Sequence, residues 1–318
     1  MKKIFAIMMA GVLSFSLVAC GGSKSDVVPE GSEGQTQEQS KVKADDKTDD
    51  YKIGFVISTL QNPFFVALKE GAEEQAALLG IETIILDSQD DPSKEMSNVE
   101  DLIVKGVDII LINPTDSDAV VNSVEAANAA NVPVITIDRV ANGGEVIAHV
   151  ASDNVAGGKM AAEYIMEKLG GKGNVVELEG IAGTSAARER GEGFNEVIGG
   201  SKMTIVAKQT ADFNRAKGLE VMENILQAQP EIEAVFAHND EMALGALEAV
   251  KASGRDIITV GFDATDDAVE SVGAGELVAT VAQQPKLMGE RGIETALQVL
   301  KGETVEKSIP VALELIQQ

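Results

Sequence analysis

The sequence predicts an α/β protein built from two similar, doubly wound parallel-sheet domains. From residue 51 onward, short β-rich apolar segments alternate with segments of helical periodicity, which is typical of a parallel sheet with helices on both faces. The same order of elements then runs through the chain a second time. Because 318 residues are also many for a single core, we expect two domains with a ligand cleft between them.

The first half supplies the first set of elements. Its short apolar segments, which have the composition of buried strands, are Ile53–Ser58, Ile81–Asp87, Val107–Asn113, Val132–Asp138 and Val146–Val150. Asn62 followed by Pro63 predicts an N-cap with proline in the first turn, and therefore a helix that ends at about Gly80. Apolar residues at helical spacing predict two more helices, around 96–103 and 120–127.

The second half repeats this order. Its predicted strands are Asn174–Glu179, Met203–Lys208, Ala234–His238, Ile257–Phe262 and Leu277–Ala282, and its helical patterns fill 154–169, 184–198, 214–227 and 240–253. A last helical pattern, Pro285–Lys301, is expected to return to the first domain. We therefore expect a hinge of several crossings between two domains, whose residues are 51–152 plus 285–312 and 153–284 plus 313–318.

The N-terminus has the features of a bacterial lipoprotein signal. Residues 1–3 are basic after the initial Met, residues 4–18 are mostly apolar, and small residues precede Cys20. We expect residues 1–20 to form the signal and Cys20, the only cysteine, to carry the lipid that anchors the protein outside the cytoplasm on the cell membrane. The alternative is an ordinary signal peptide in which this cysteine is incidental.

Residues 21–50 differ in composition from the rest of the chain. Gly, Ser, Gln, Glu, Asp and Lys dominate there and almost nothing is apolar, so we expect a flexible tether. The whole chain is acidic, with a formal net charge of −25. Such a surface repels phosphate groups, which excludes nucleic acid as a partner.

The few aromatic residues gather where predicted strands end. Only 3% of residues are aromatic, and none is Trp, yet the predicted strand ends supply Phe64, Phe65, Phe213 and Phe262. Polar residues at the same ends are Asn113, Asp138, Arg139, Asn239, Asp263 and Gln283. Ligands bind at the carboxyl ends of parallel strands. Flat rings beside amide, carboxylate and guanidinium groups suit a small polyhydroxylated ring, which has apolar C–H faces and a rim of hydroxyls.

Several of these residues also have a purely structural interpretation. Asp138 and Arg139 could form only a surface ion pair, which contributes little. Helix capping alone would explain Asn113, Asn239 and Asp263. Arg188 and Arg190 lie at a predicted helix start, where cations oppose the helix dipole, so we expect one of them to reach the cleft and the other to be solvated.

Enzymatic motifs are missing from the sequence. Neither His149 nor His238, the only histidines, has a plausible nucleophile nearby, and the sequence contains no Gly-x-Ser-x-Gly motif, Walker loop or convincing metal-ligand spacing. We therefore expect no enzyme, no metal and no cofactor.

Four long segments carry a resemblance to a known family. They are Ser58–Phe65, Leu111–Asp118, Gly180–Phe194 and Asn239–Ala246. With them, residues 51–316 resemble the bacterial ribose-binding proteins, the substrate-binding components of ABC sugar transporters. The resemblance implies two Rossmann-like domains in the type I periplasmic-binding-protein architecture. It also implies D-ribose as ligand, ABC permease subunits as partners and a monomer. A chemoreceptor is a further partner within this family, but nothing in the sequence points to one.

The resemblance implies a role for each matching position. Phe64 and Phe213, with Phe65 and Phe262 nearby, would enclose the pyranose ring. The groups that would hydrogen-bond the hydroxyls and ring oxygen are Asn62, Asn113, Asp138, Arg139, Arg190, Asn239, Asp263 and Gln283. Ser58 resembles a further residue of the pocket wall.

The sequence leaves the identity of the ligand and the class of protein open to alternatives. Related hexose binders use Trp and a galactose-type binder has a calcium loop; neither feature occurs here, which favours a pentose. Another small ring, such as allose or a furanose signal molecule, is the main alternative. A sugar-responsive regulator is disfavoured by the lipoprotein signal and the missing basic helix-turn-helix. A sugar enzyme is disfavoured by the missing catalytic groups.

Overall fold

The computed structural model describes residues 51–318, and the predicted signal, Cys20 and tether lie outside the described residues. The strands are β1 Lys52–Ile57, β2 Glu82–Asp87, β3 Ile109–Ile112, β4 Val134–Ile137, β5 Ala148–Ser152, β6 Lys172–Glu179, β7 Lys202–Thr210, β8 Ala234–Ala237, β9 Ile258–Asp263, β10 Ala279–Ala282, β11 Ser308–Val311 and β12 Glu314–Gln317. The helices are α1 Pro63–Leu79, α2 Pro92–Val104, α3 Val120–Ala129, α4 Asn154–Leu169, α5 Ser185–Gly199, α6 Arg215–Ala228, α7 Asp240–Ser253, α8 Asp266–Gly273 and α9 Pro285–Leu300.

Within these residues the strands form two six-stranded sheets of the same topology. The first has the order β11-β5-β4-β3-β1-β2 and the second β12-β10-β9-β8-β6-β7. Neighbouring strands are parallel except for β12, which runs antiparallel to β10. The strand order reverses at β1/β3 and at β6/β8, the switch points where such sheets bind ligands. We call each sheet with its helices a lobe. The predicted α/β class with two similar doubly wound parts is confirmed.

Each sheet has apolar cores on both faces. In the first lobe, α1 and α9 cover one face and α2 and α3 cover the other. In the second lobe, α4 and α5 lie opposite α6, α7 and α8. The last long helix therefore packs on the first sheet, with Met288 and Ile293 in the same core cluster as Phe55. The exact residue boundaries of the two domains stay a prediction.

The start of α1 follows from local sequence. The side-chain oxygen of Asn62 accepts a hydrogen bond from the backbone N–H of Phe64 at 3.0 Å, and Pro63 occupies the first turn. The helix ends at Gly80, whose φ of 70° is in the left-handed region that glycine adopts without strain. Both predicted ends of this helix are confirmed, and the N-cap places Asn62 at the edge of the cleft.

Three short elements escaped the sequence prediction. Strands β11 and β12 are four residues long, lie at sheet edges and are partly exposed, so they lack the apolar run that identifies a central strand. Pro310 in β11 is typical of an edge strand because it cannot donate to a ladder. Helix α8 has eight residues, too few to establish a helical periodicity.

Glycines bring the backbones of α4 and α5 into direct contact. A β-carbon added to Gly193 would lie 2.0 Å from the carbonyl oxygen of Val155, and one added to Gly158 would lie 2.1 Å from that of Arg190. No side chain fits at either position. The close approach matters for the site because α5 carries Arg190.

Replacing Gly193 by alanine is expected to lower the free energy of unfolding by roughly 1–3 kcal/mol or more, because the backbones of α4 and α5 must separate. Urea denaturation measures the change. The matched control is Gly199→Ala in the same helix, where an added β-carbon meets no atom of residues 51–318 within 4 Å apart from the neighbouring backbone of its own helix. It should be neutral or stabilise by about 0.5 kcal/mol. Equal effects of the two substitutions would contradict the packing argument.

Candidate functional site

A small cavity lies between the lobes, at the carboxyl ends of strands from both sheets. Except for Ser58, Asn113 and Phe262, every predicted site residue lines it. The lining consists of Asn62, Phe64, Phe65, Asp138, Arg139, Ala186, Arg190, Phe213, Asn239, Asp263 and Gln283. Of these, the sequence analysis did not single out Ala186.

The three remaining residues lie directly behind the lining. The side-chain oxygen of Asn113 accepts hydrogen bonds from the backbone N–H of Ser58 at 3.1 Å and from its hydroxyl at 2.6 Å. The Asn113 amide nitrogen lies 3.4 Å from the carboxylate of Asp138. Helix α3 begins only at Val120, so capping does not explain Asn113. Phe262 lies under the guanidinium of Arg190, 3.8 Å from its central carbon to the ring centroid.

Unusual backbone conformations orient the lining residues. Asp138 has a φ of 65° and Phe213 a φ of 56°, which is the left-handed region that few residues other than glycine enter. Because the chain turns at Asp138, directly after β4, both Asp138 and Arg139 face the cavity. Adjacent residues on an extended strand would point to opposite faces. Such strained residues are concentrated at functional sites.

Arg139 is buried between two aromatic rings of different lobes. Its central carbon lies 5.1 Å from the ring centroid of Phe65 and 5.4 Å from that of Phe213. One terminal nitrogen donates to the carbonyl of Pro114 at 3.1 Å, and Nε lies 3.6 Å from the Asp138 carboxylate. Burial lowers the pKa of Arg139, and Asp138 opposes this shift. Arginine nevertheless stays charged, so Arg139 presents a cation to the cavity.

Arg190 has a similar position on the second lobe. Its Nε donates to the side-chain oxygen of Asn154 at 2.9 Å, and a terminal nitrogen donates to the carbonyl of His238 at 2.5 Å. The same nitrogen lies 3.6 Å from the carboxylate of Asp263. Arg188, two residues earlier, is exposed. Of the two arginines at this helix start, Arg190 therefore lines the cavity, whereas Arg188 is at the surface.

Asp263 and Asn239 both line the cavity, but only Asn239 also caps a helix. Asp263 accepts a hydrogen bond from the Gln283 amide at 2.8 Å, and the N-cap of α8 is Thr265 rather than Asp263. Burial raises the pKa of Asp263 well above its ordinary range, although Arg190 opposes the shift. Asn239 combines both positions. Its side-chain oxygen caps α7 by accepting from the N–H of Met242, its amide nitrogen donates to the carbonyl of Phe213 at 3.3 Å, and the residue lines the cavity.

Several polar atoms at the cavity lack a partner. Among residues 51–318, Asp138 Oδ1, Arg139 Nε and Gln283 Oε1 are buried without a hydrogen bond. Buried polar atoms are rarely left unpaired, since each costs free energy. Two acceptors and a donor beside aromatic rings match a neutral ligand whose hydroxyls both donate and accept. Two arginines and two aspartates balance in formal charge, so the site suits an uncharged molecule.

The lobes also touch beside the cavity. The N–H of Ser117 in the first lobe donates to the carbonyl of Gly183 in the second at 2.9 Å. The N–H of Val140 donates to the hydroxyl of Ser185 at 3.0 Å. The cleft is therefore closed in this structure, which explains why the lining side chains are buried.

Sequence reasoning missed the residues that hold the site from behind. Asn154 fixes Arg190, and the buried Glu95 of α2 accepts from the N–H of Thr115 at 2.6 Å. Thr115 follows Pro114, whose carbonyl binds Arg139. These contacts join positions 20 to 36 residues apart. No sequence signal distinguishes them, because Glu95 is one of several polar residues in α2 and Asn154 is the first residue of α4.

Glu95 is expected to make stability depend on pH. Burial raises the pKa of Glu95 to about 7, against the opposing hydrogen bond from Thr115. The folded state then binds a proton more tightly than the unfolded state, so stability falls as pH rises from 4.5 towards 7. Glu95→Gln removes this pH dependence. Its free energy of unfolding relative to that of wild type should therefore rise by roughly 2 kcal/mol between pH 5 and pH 7.

Urea unfolding at several pH values measures this difference. Glu100→Gln, at an exposed position of the same helix, is the matched control and should follow wild type at each pH. A pH-independent difference between Glu95→Gln and wild type would contradict the assignment.

Comparisons with known proteins agree with this geometry. Residues 53–304 match the family described as periplasmic binding protein domain. The chain belongs to this family. The ribose import binding protein of Escherichia coli K12 is 57% identical over 265 residues, which cover 83% of this chain and 90% of that protein. The ribose import binding protein of Bacillus subtilis 168 is 56% identical over 269 residues, covering 85% and 88%.

A solved periplasmic binding protein has the same fold. The solute-binding protein of an ABC transporter from Bacillus halodurans C-125, crystallised with myo-inositol, superposes with a TM-score of 0.81 at 35% identity, covering 85% of this chain and 95% of that one. The two-lobed fold is thus the type I periplasmic-binding-protein architecture. The relatives are binding proteins for transport rather than enzymes.

Two further findings concern only residues 51–318. No helix there has the length and apolarity required to cross a bilayer. That segment also contains no group of three or more His, Cys, Asp or Glu side chains placed to bind a metal ion.

Proposed function

We propose that this periplasmic binding protein captures D-ribose between its two lobes and delivers it to ABC permease subunits for import. The observation that carries the proposal is the composition of the closed cavity. Aromatic rings from both lobes flank two carboxylate–guanidinium pairs, Asp138 with Arg139 and Asp263 with Arg190.

The chemistry of ribose suits this cavity. Phe64 and Phe213 would pack against the apolar faces of the ring. Each hydroxyl can donate to a carboxylate and accept from a guanidinium, and such charge-assisted hydrogen bonds are the stronger kind. The atoms without partners, Asp138 Oδ1, Arg139 Nε and Gln283 Oε1, would be paired by the sugar. The names of the relatives at 56–57% identity support ribose as the ligand.

Closure would convert binding into a signal for transport. The sugar contacts both lobes, so it favours the closed arrangement over any open one. The closed protein presents a different surface to the permease, which could then respond to occupancy. We propose a monomer with the two domains 51–152 plus 285–312 and 153–284 plus 313–318.

Another small ring is the alternative ligand. The similar protein from Bacillus halodurans was crystallised with myo-inositol, so this fold also accommodates other polyols. Calorimetric titration of the full-length protein with D-ribose, allose, xylose, arabinose and galactose separates the possibilities. Micromolar or tighter binding of ribose alone supports the proposal. Binding of a different sugar in its place would retain the transport role and exclude ribose as the ligand.

We also propose that a lipid on Cys20 anchors the protein outside the cytoplasm. The support is the sequence alone: a basic start, an apolar core and small residues before the cysteine. The test is membrane fractionation of Cys20→Ser beside wild type. Wild type should sediment with membranes and the variant should not, and equal sedimentation of both would exclude the anchor.

A further inference from the structure

A buried carboxylate outside the cavity is hydrogen-bonded to the turn that carries Asp263. Asp240, the first residue of α7, has no exposed surface. Its Oδ2 accepts hydrogen bonds from the N–H of Thr265 at 2.8 Å and from the Thr265 hydroxyl at 3.2 Å. Its Oδ1 accepts from the hydroxyl of Thr280 at 2.7 Å. Both oxygens therefore have partners on neighbouring elements.

Thr280 connects this carboxylate to the next residue of the turn. The hydroxyl oxygen of Thr280 accepts a hydrogen bond from the N–H of Ala264 at 3.2 Å while its proton is donated to Asp240. Ala264 and Thr265, the two residues that follow Asp263, are thus both tied to Asp240. Thr265 is hydrogen-bonded to Asp240 directly, and Ala264 is connected to it through the hydroxyl of Thr280.

The turn needs such support because its backbone is strained. Asp263 has a φ of 120° and Ala264 a φ of 56°, and residues of this kind keep these values only where the surroundings determine them. The strand before the turn also lies against the carboxylate. A β-carbon added to Gly261 would be 2.2 Å from Asp240 Oδ1.

We propose that Asp240 and Thr280 are positioning residues that hold the Asp263 turn, so that the Asp263 carboxylate faces Arg190 and the ligand. Neither is among the described residues that line the cavity, so both act through Asp263 rather than by touching sugar. The inference rests on the proposed function, because it assigns the two residues a share of the sugar affinity.

Substitutions of buried threonines separate positioning from general stability. Thr280→Val keeps the shape of the side chain and its place in β10 but removes both hydrogen bonds, whereas Thr280→Ser keeps the hydroxyl. The matched control is Thr259→Val. Thr259 is a buried threonine of the adjacent strand β9, and its hydroxyl has no hydrogen-bond partner within residues 51–318.

Calorimetry of the full-length variants with D-ribose gives the first result. Thr280→Val should bind about tenfold or more weakly than wild type. Thr280→Ser and Thr259→Val should stay within about twofold. In an Asp263→Asn background the effect of Thr280→Val should shrink, because residues that act through one another are not additive. Wild-type affinity of Thr280→Val, or full additivity with Asp263→Asn, would overturn the proposal.

Amide hydrogen exchange of the sugar-free protein tests the same turn independently of ligand. Thr280→Val should accelerate exchange at Ala264 while Thr259→Val should not, and unchanged exchange would overturn the positioning role. If wild type binds none of the sugars, the proposed function fails, and the exchange result still decides whether Thr280 holds the turn.

Discussion

Replacing Arg190 by alanine is expected to weaken ribose binding by roughly thirty-fold to several thousand-fold, a cost of ~2–5 kcal/mol. The guanidinium is buried and binds the side chain of Asn154 and the carbonyl of His238. Without it these acceptors lose their donor, and Asp263 loses the only cation within 4 Å that residues 51–318 provide. The sugar would also lose a charged donor. Calorimetry with D-ribose measures the loss, and circular dichroism checks that the variant is folded.

Arg188→Ala is the matched control for this prediction. Arg188 lies two residues earlier on the same helix and is exposed, and among the described hydrogen bonds its side chain donates only to the carbonyl of Gly183. Its removal should change the affinity by about twofold or less, as for most surface substitutions. If both variants lost affinity equally, the assignment of Arg190 to the site would be wrong.

Replacing Gly183 by alanine is expected to lower the affinity at least tenfold without altering any residue of the cavity lining, because it raises the free energy of the closed state. A β-carbon on Gly183 would lie 1.6 Å from Oδ2 of Asp116 in the opposite lobe. Asp116 is not free to rotate away, since its other oxygen accepts from the N–H groups of Asp118 and Ala119 at 2.9 and 2.8 Å. The lobes could then not approach to their present distance.

A second substitution tests this explanation. Asp116→Ser shortens the side chain and retains an oxygen that can accept from the N–H groups of Asp118 and Ala119. The double variant Gly183→Ala/Asp116→Ser should therefore recover most of the ribose affinity. Small-angle scattering with sugar present should show compaction for wild type and the double variant, but not for Gly183→Ala alone. Unchanged affinity of Gly183→Ala would contradict the steric argument.

The fold could be predicted because its signals are local and repeated. Buried parallel strands are short apolar runs. The start of a helix such as α1 is indicated by its capping residues, here Asn62 and Pro63. Elements without those signals were missed. Strands β11 and β12 are short and lie at sheet edges, where pairing with a neighbour, rather than composition, makes a strand.

The topology of a parallel sheet made the residues that line the candidate site predictable. The residues that support them from behind were not predictable. Parallel strands bring their carboxyl ends to one edge, so residues such as Arg139 and Asp263 could be grouped without coordinates. The supporting residues Asn154, Glu95 and Asp240 could not, because their roles depend on backbone turns and on partners distant in sequence. The left-handed φ of Asp138, which turns Arg139 towards the cavity, is likewise invisible in the sequence.

A crystal structure of the protein grown with D-ribose tests the central claim most directly. The account predicts one sugar in the cavity between the lobes, with its ring faces against Phe64 and Phe213. Its hydroxyls should be hydrogen-bonded to Asp138, Arg139, Arg190 and Asp263. A sugar bound elsewhere, or a closed cleft that contains no sugar at saturating ribose, would contradict the claim.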